Sequence, residues 1–179
     1  VCDIKGVSTD AWNNWKSSLL DSLYFQTLQL VSTDVKVETR SERLNTAKKK
    51  LEGYLQGFKK QEIKKETSRH FDAYWLVLDT TTQKLIAKMI NSLEQDPLQI
   101  QPSYDSERDI TKIIFVMEDH PGIFSRLAGA LAIASANVID AKTFTTKDGI
   151  ANFIFWIQDN LGKTYDERKT KKLLDTVKK

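Results

Sequence analysis

What this sequence lacks narrows it first. It has one cysteine, Cys2, so no disulfide forms within the chain, and the lone thiol fits a reducing compartment. No apolar run approaches the ~20 residues that cross a bilayer. The N-terminus lacks the basic-then-apolar pattern of a secretory signal. No membrane partner is therefore expected, and a cytoplasmic location is. A formal net charge of +3 is too small to imply nucleic acid, because strong binders concentrate Lys and Arg into a patch. No internal repeat or low-complexity tract is visible. What remains, 40% hydrophobic and 28% charged residues, is ordinary for a soluble globular protein. The 179 residues suffice for one domain, or a small domain with an appendage. The first residue is Val and the last stretch is a basic helical pattern, so a piece of a longer chain is expected.

The first two-fifths read as helix. Trp12, Trp15, Leu19, Leu23 and Tyr24 recur at three- and four-residue steps, which puts them on one helical face. Ser8 or Thr9 suits the N-cap, with Asp10 in the first turn. The polar stretch from Ser32 to Arg40 breaks the pattern. A second helical face follows with Leu44, Ala47, Leu51, Tyr54, Leu55 and Phe58. Lys48, Lys49, Lys50, Lys59 and Lys60 lie off that face, either as a solvated surface or as a contact for an acidic partner. No aromatics interleave with them to stack on bases. Phe71, Tyr74, Trp75 and Leu78 suggest a short apolar helix or turn. Thr80 to Thr82 can cap a further helix through Ile86, Ile90 and Leu93, which Pro97 ends.

From Leu98 the period changes to two. "LQIQPSY" alternates, and Pro102 marks it as an edge or short strand. "DSERD" is a turn. "ITKIIFVME" is a strand with Ile113, Phe115 and Met117 on one face and Ile114 and Val116 on the other. Asn137 to Thr146 reads as the next strand, and "KDG" as a hairpin turn. Ile150 to Gln158 is apolar on both faces, with Phe153, Phe155 and Ile157 against Ile154 and Trp156. Such a strand is central and covered on both sides. A last helix from Tyr165 turns Leu173, Leu174 and Val177 inward.

Between the second and third of these strands stands "DHPG". Asp119 or His120 can cap the helix after it, and Pro121 suits the first helical position. Gly122 lets a backbone or ligand approach closely. The helix is expected from Pro121 to about Ser135, with Phe124, Leu127, Leu131 and Ala134 facing inward. Ala128, Gly129, Ala130 and Ala132 keep it slim. Free N–H groups of its first turn and the helix dipole favour an anion at the corner, and a small amino acid's carboxylate fits. An ordinary strand-to-helix turn reads the same way.

The order from "ITKIIFVME" onward is β-α-β-β-α. That is an α+β, ferredoxin-like sandwich lacking its last strand. Leu98 to Tyr104 is joined to the first strand of this unit by a short turn, and is expected to fill the vacant edge. The sheet order is then edge strand, first, third, second. Ile114, Val116, Ile154 and Trp156 would form an exposed patch unless covered, and such a patch marks an interface. The N-terminal helices, a second copy or a following domain are the candidates. The expected divisions are a helical segment at 1–69, a helical linker at 70–97 and the sheet domain at 98–179.

"DHPGIFSRLAGALAIASANVIDAKTFTTKDG" resembles the ACT domain, a small amino-acid-sensing regulatory module. More narrowly, with "FDAYWLVLDT", "FWIQD" and "WNNWKSSLLDSLY", the chain is similar to the first ACT domain of the bacterial bifunctional PII uridylyltransferase/uridylyl-removing enzyme family and the region before it. The resemblance implies a parent enzyme that attaches UMP to a PII signalling protein when glutamine is scarce and removes it when glutamine is abundant. It implies Mg2+ in the parent's transferase centre and a His-Asp metal centre in its hydrolase domain. His70 and His120 are the only histidines here, and no Gly-Ser precedes two aspartates at transferase spacing. The chain itself is thus expected to be regulatory, with no catalytic residue, no metal ligand and no cofactor of its own. By likeness, the ligand-binding candidates are Asp119, His120, Pro121, Gly122, Ile123 and Phe124, with Asn137 and Val138 next. Corner N–H groups would take the carboxylate of L-glutamine, and Asp119 or Asn137 its amine or amide. A second ACT domain or a homodimer partner is expected alongside. Two other readings stay open: an ACT domain of another amino-acid-regulated enzyme, and an interaction module dimerising through Ile154 and Trp156 without a small ligand. A nucleic-acid binder would need exposed aromatics with basic neighbours on the sheet, which Trp156 alone does not supply.

Overall fold

Local signals start the helices where side chains satisfy the first-turn N–H groups. A computed structural model describes Trp12 and residues 14–32, 38–165 and 167–177. The expected caps Ser8 and Thr9, with Asp10 and Cys2, lie outside the described residues. Helix α1 is Asn14–Ser32 and α2 is Arg40–Tyr54. Thr39 and Glu42 form a capping box on α2: the Glu42 N–H donates to Thr39 Oγ1 at 3.3 Å, and the Thr39 N–H to Glu42 Oε2 at 2.7 Å. Helix α3, Lys60–Arg69, was not separated by the periodicity, because Ile63 is its one apolar residue. Helix α4 is Asp72–Val77 and α5 is Thr80–Asn91. The α5 cap falls on Asp79 rather than on Thr80 to Thr82. Asp79 Oδ1 accepts the Thr82 N–H at 2.8 Å and Oδ2 its hydroxyl at 2.7 Å, while Thr82 is buried.

The second half alternates as its period demands. Strand β1 is Leu98–Asp105, β2 is Ile110–Glu118, helix α6 is Ile123–Ile133, β3 is Asn137–Thr145, β4 is Ile150–Gln158 and helix α7 is Glu167–Val177. All strand pairs are antiparallel and the order is β1-β2-β4-β3. This is the expected α+β, ferredoxin-like arrangement, with β1 on the edge that a final strand would otherwise occupy. Pro102 faces Ile113 on that edge strand, where its missing N–H disturbs no second neighbour.

Because β2 and β4 are apolar on both faces, the sheet carries two cores. On one face Ile113, Phe115, Phe153, Phe155 and Ile157 pack with Leu127 and Leu131 of α6 and Leu173 of α7. Tyr165, 3% exposed, secures the entry to α7: its N–H donates to Thr111 Oγ1 at 2.9 Å and its hydroxyl to the Ala134 carbonyl. On the other face Ile114, Val116 and Ile154 pack with Leu51 and Leu55, Tyr74 and Trp75, and Ile86 and Ile90. Of the three candidate covers for this face, the N-terminal helices are the one found. Ile114, Val116 and Ile154 are fully buried, so a second copy docking on them would first have to displace the helical layer. Trp156 is half-buried, its ring 6.1 Å from that of Trp15 on α1 and 5.0 Å from Lys142 Nζ. This core runs across both expected boundaries, 69/70 and 97/98. Lys49, Lys50, Lys59 and Lys60 are exposed, as a solvated face requires, whereas Lys48 lies 5.6 Å over the Trp75 ring. Among the described residues no helix is long and apolar enough to cross a membrane.

Candidate ligand-binding corner

Strand β2 runs out of the sheet at Glu118, and the chain turns through Asp119 to Gly122 into α6. Helix α6 begins at Ile123, two residues later than expected. Gly122 is its N-cap, with φ of 81°, and Pro121 stands in the turn before it rather than at the first helical position. A left-handed residue cannot continue a right-handed helix, which fixes the start. A Cβ built on Gly122 would meet nothing within 4 Å, so the glycine is required by its backbone angle and not by a close neighbour in the chain.

Among the described residues no side chain caps α6. Asp119 is not a cap: its Oδ2 accepts from Thr145 Oγ1 at 3.2 Å, and its N–H donates to the Gly149 carbonyl at 2.9 Å. The Ile123 N–H donates to the His120 carbonyl at 3.2 Å. The N–H groups of Phe124 and Ser125 are left for water or an anion, in the positive field of the helix start. Asp119, His120, Pro121 and Gly122 are exposed and Ile123 is half-buried. Phe124, 42% exposed, stacks on Phe155 at 5.7 Å, which holds the first turn of α6 against the sheet. The corner thus offers backbone donors and one carboxylate held in place from β3.

Asn137 and Val138 are exposed but do not join this corner. Strand β3 runs antiparallel to β4, so Asn137 pairs with Gln158 while Thr145 pairs with Ala151 beside Asp119. Eight residue steps of ~3.3 Å put Asn137 about 26 Å from the corner. Within one chain a ligand meets the corner or Asn137, never both.

Behind the corner, on the side of the helical layer, lies a cleft of about 690 Å³ that the sequence did not reveal. Lys65, Glu66 and Arg69 of α3, Glu118 and His120 at the end of β2, and Asp148 of the β3–β4 turn are among its lining residues. Glu66 and Arg69 are 4% and 8% exposed. Glu66 Oε1 lies 2.9 Å from Nε2 of buried His70, whose ring stacks on Tyr74 at 3.6 Å. Burial, with the Glu66 carboxylate nearby, pushes the Tyr74 phenol well above its usual range. Arg69 Nη2 lies 3.3 Å from Asp148 Oδ2 and its Nε 3.5 Å from Glu66 Oε2. Burial raises the Asp148 carboxyl, but the Thr146 hydroxyl and the Arg69 guanidinium outweigh it and hold the group below the usual carboxylate range. A charged i, i+3 pair on a helix normally reads as solvated surface, and only the docking of α3 on the β3–β4 turn buries this one. Among the described residues no three His, Cys, Asp or Glu side chains stand together to hold a metal ion.

The ACT domain family model matches residues 111–178, from β2 to the end of α7, and leaves β1 outside. Over all 179 residues the chain is 41% identical to the bifunctional uridylyltransferase/uridylyl-removing enzyme of Cereibacter sphaeroides. It is 42% identical over 183 aligned residues to the enzyme of that name in Ruegeria pomeroyi, again with the whole chain covered. In Azospirillum brasilense the figure is 37% over 164 residues, or 90% of the chain. The chain spans about a fifth of the length of these relatives: 19%, 20% and 18%. It is thus an ACT-domain region, homologous throughout to a segment of the bifunctional uridylyltransferase/uridylyl-removing enzymes.

Proposed function

We propose that this chain is the amino-acid-sensing, non-catalytic part of a cytoplasmic enzyme that uridylylates and deuridylylates a PII signalling protein in nitrogen regulation. L-glutamine is the proposed effector and the Asp119–Phe124 corner its seat. The observation that carries this reading is the uncapped start of α6 beside the Asp119 carboxylate. The Phe124 and Ser125 N–H groups suit an α-carboxylate, and Asp119, held by Thr145, suits an ammonium or amide group. The Mg2+ of the transferase centre belongs, in this reading, to the remaining four-fifths of the parent. Regulation is then a coupling free energy: glutamine binds one arrangement of this module more tightly than another, and the catalytic parts follow. Asn137 and Val138 serve the same ligand only from a second ACT unit or a partner copy laid against the corner.

Calorimetric titration of L-glutamine into this chain, with other amino acids as controls, tests the reading. Saturable binding that weakens at least tenfold in Asp119→Ala, with thermal stability unchanged, is expected. Equal affinity in the variant would remove the corner as the seat. No binding by the unsubstituted chain would remove it as a self-sufficient sensor.

A further inference from the structure

The cleft behind the corner is built differently from the corner itself. Its walls come from three places: α3, the segment from α5 to β1, and the end of the sheet where β2 stops and the β3–β4 turn begins. Its floor is apolar, with Ile90, Leu98, Met117 and Ile150. Its volume lies within the range of small-molecule sites. The α3 wall contains a guanidinium that the fold does not satisfy. Arg69 is 8% exposed and ion-paired with Glu66 and Asp148, while its Nε and Nη1, both sealed from solvent, make no hydrogen bond among the described residues. A buried guanidinium with unused donors is costly, and an apolar residue would serve the fold better. Lys65, one turn earlier, adds an exposed ammonium to the same wall. Glu118 and Glu94 bring exposed carboxylates from other elements.

We propose that this cleft is a second ligand site, for a small zwitterion of the free α-amino-acid type. The ligand's carboxylate lies toward Lys65 and Arg69, its ammonium toward Glu118 or Glu94, and its side chain on the apolar floor. A polyphosphate is disfavoured by Glu62, Glu94 and Glu118 around the opening, and a simple cation by the buried guanidinium. The ligand would touch the helical layer and the sheet domain at once. Helix α3 is already tied to the β3–β4 turn there, since Lys147 donates its N–H to the Arg69 carbonyl at 2.8 Å and its Nζ to the Ser68 carbonyl at 2.9 Å. A ligand in the cleft therefore controls how firmly the helical layer is docked on the sheet. The proposal rests on the chain being an amino-acid sensor, but not on the corner being its seat.

The test is a calorimetric titration of L-glutamine and each of the other common L-amino acids into the whole chain and three variants. Lys65→Glu and Glu118→Lys change exposed cleft residues, with an unchanged Tm as the check that the fold is kept; Asp119→Ala changes the corner. The expected result is at least one amino acid whose affinity falls tenfold or more in both cleft variants and by less than twofold in Asp119→Ala. Loss in Asp119→Ala with full affinity in the cleft variants would overturn the cleft and leave the corner standing. Binding of no amino acid by the unsubstituted chain at millimolar concentration would overturn both.

Discussion

Replacing Ile154 with Ala tests whether the helical layer truly closes the second face of the sheet. Ile154 is 0% exposed, at the centre of β4, with Ile114 opposite it on β2 and Leu51, Tyr74 and Ile86 in the same core. Truncation removes three carbons' worth of buried surface and leaves a cavity between two layers that are each braced elsewhere. Large-to-small changes of this kind cost about 2–5 kcal/mol. For a chain of this size that is a fall in Tm of roughly 4–20 °C. Urea unfolding followed by far-UV circular dichroism measures it directly, with an unchanged m-value marking a pure stability loss. Leu51→Ala supplies the second arm. Leu51 is also 0% exposed and lies on α2, so a double-mutant cycle with Ile154→Ala should show a coupling of about 0.5–3 kcal/mol. If the helices were not docked, Ile154 would face water, its truncation would cost under about 0.5 kcal/mol, and the coupling would vanish. That pair of results would refute the layered packing.

Three smaller predictions follow from individual contacts. Asp79→Ala removes both bonds to Thr82 and should cost about 0.5–2 kcal/mol, read as a lower urea midpoint; no loss would mean that α5 is capped otherwise. Gly122→Val forces a β-branched residue to φ of 81° and should cost about 1–3 kcal/mol even though its Cβ meets open space; an unchanged midpoint would show that the turn relaxes. In Asp79 and Asp159 burial raises the carboxyls, but hydrogen bonds outweigh it: those from Thr82 to Asp79, and those from the Lys163 and Leu161 N–H groups and Lys169 to Asp159. With Asp148 also lowered, these folded-state carboxyls ionise more readily than their unfolded counterparts at about 3.9. Their stabilisation is therefore complete above about pH 5 and lost as the pH falls through and below 4; a urea midpoint constant from pH 6 to pH 3 would contradict it.

The strands were legible because β2 and β4 carry apolar residues on both faces at most inward positions, with buried Thr111 and Asn152 as exceptions. That same feature demanded two covering layers, and the edge position of β1 followed from its short turn to β2. Helix α3 was not legible, since periodicity needs apolar residues and α3 buries Glu66 and Arg69 instead. Neighbouring residues compete for the same cap, and sequence alone did not choose Asp79 over the threonines or place Gly122 rather than Pro121 at the boundary of α6. The corner was visible as a Pro-Gly turn ahead of an apolar helix. Its separation from Asn137 was implicit in the "KDG" hairpin, which makes β3 run back along β4 and puts Asn137 at the far end from the corner, and the pairing register gives its extent. The cleft was invisible, because Arg69 and Asp148 are 79 residues apart in sequence and meet only after the helical layer docks on the sheet.

The most direct measurement of the central claim is an amide chemical-shift map of the isotopically labelled chain during titration with L-glutamine. The account predicts saturable shifts concentrated at the amides of Ile123, Phe124 and Ser125, with Thr145 following through Asp119. Saturating glutamine that leaves those amides unmoved would contradict it.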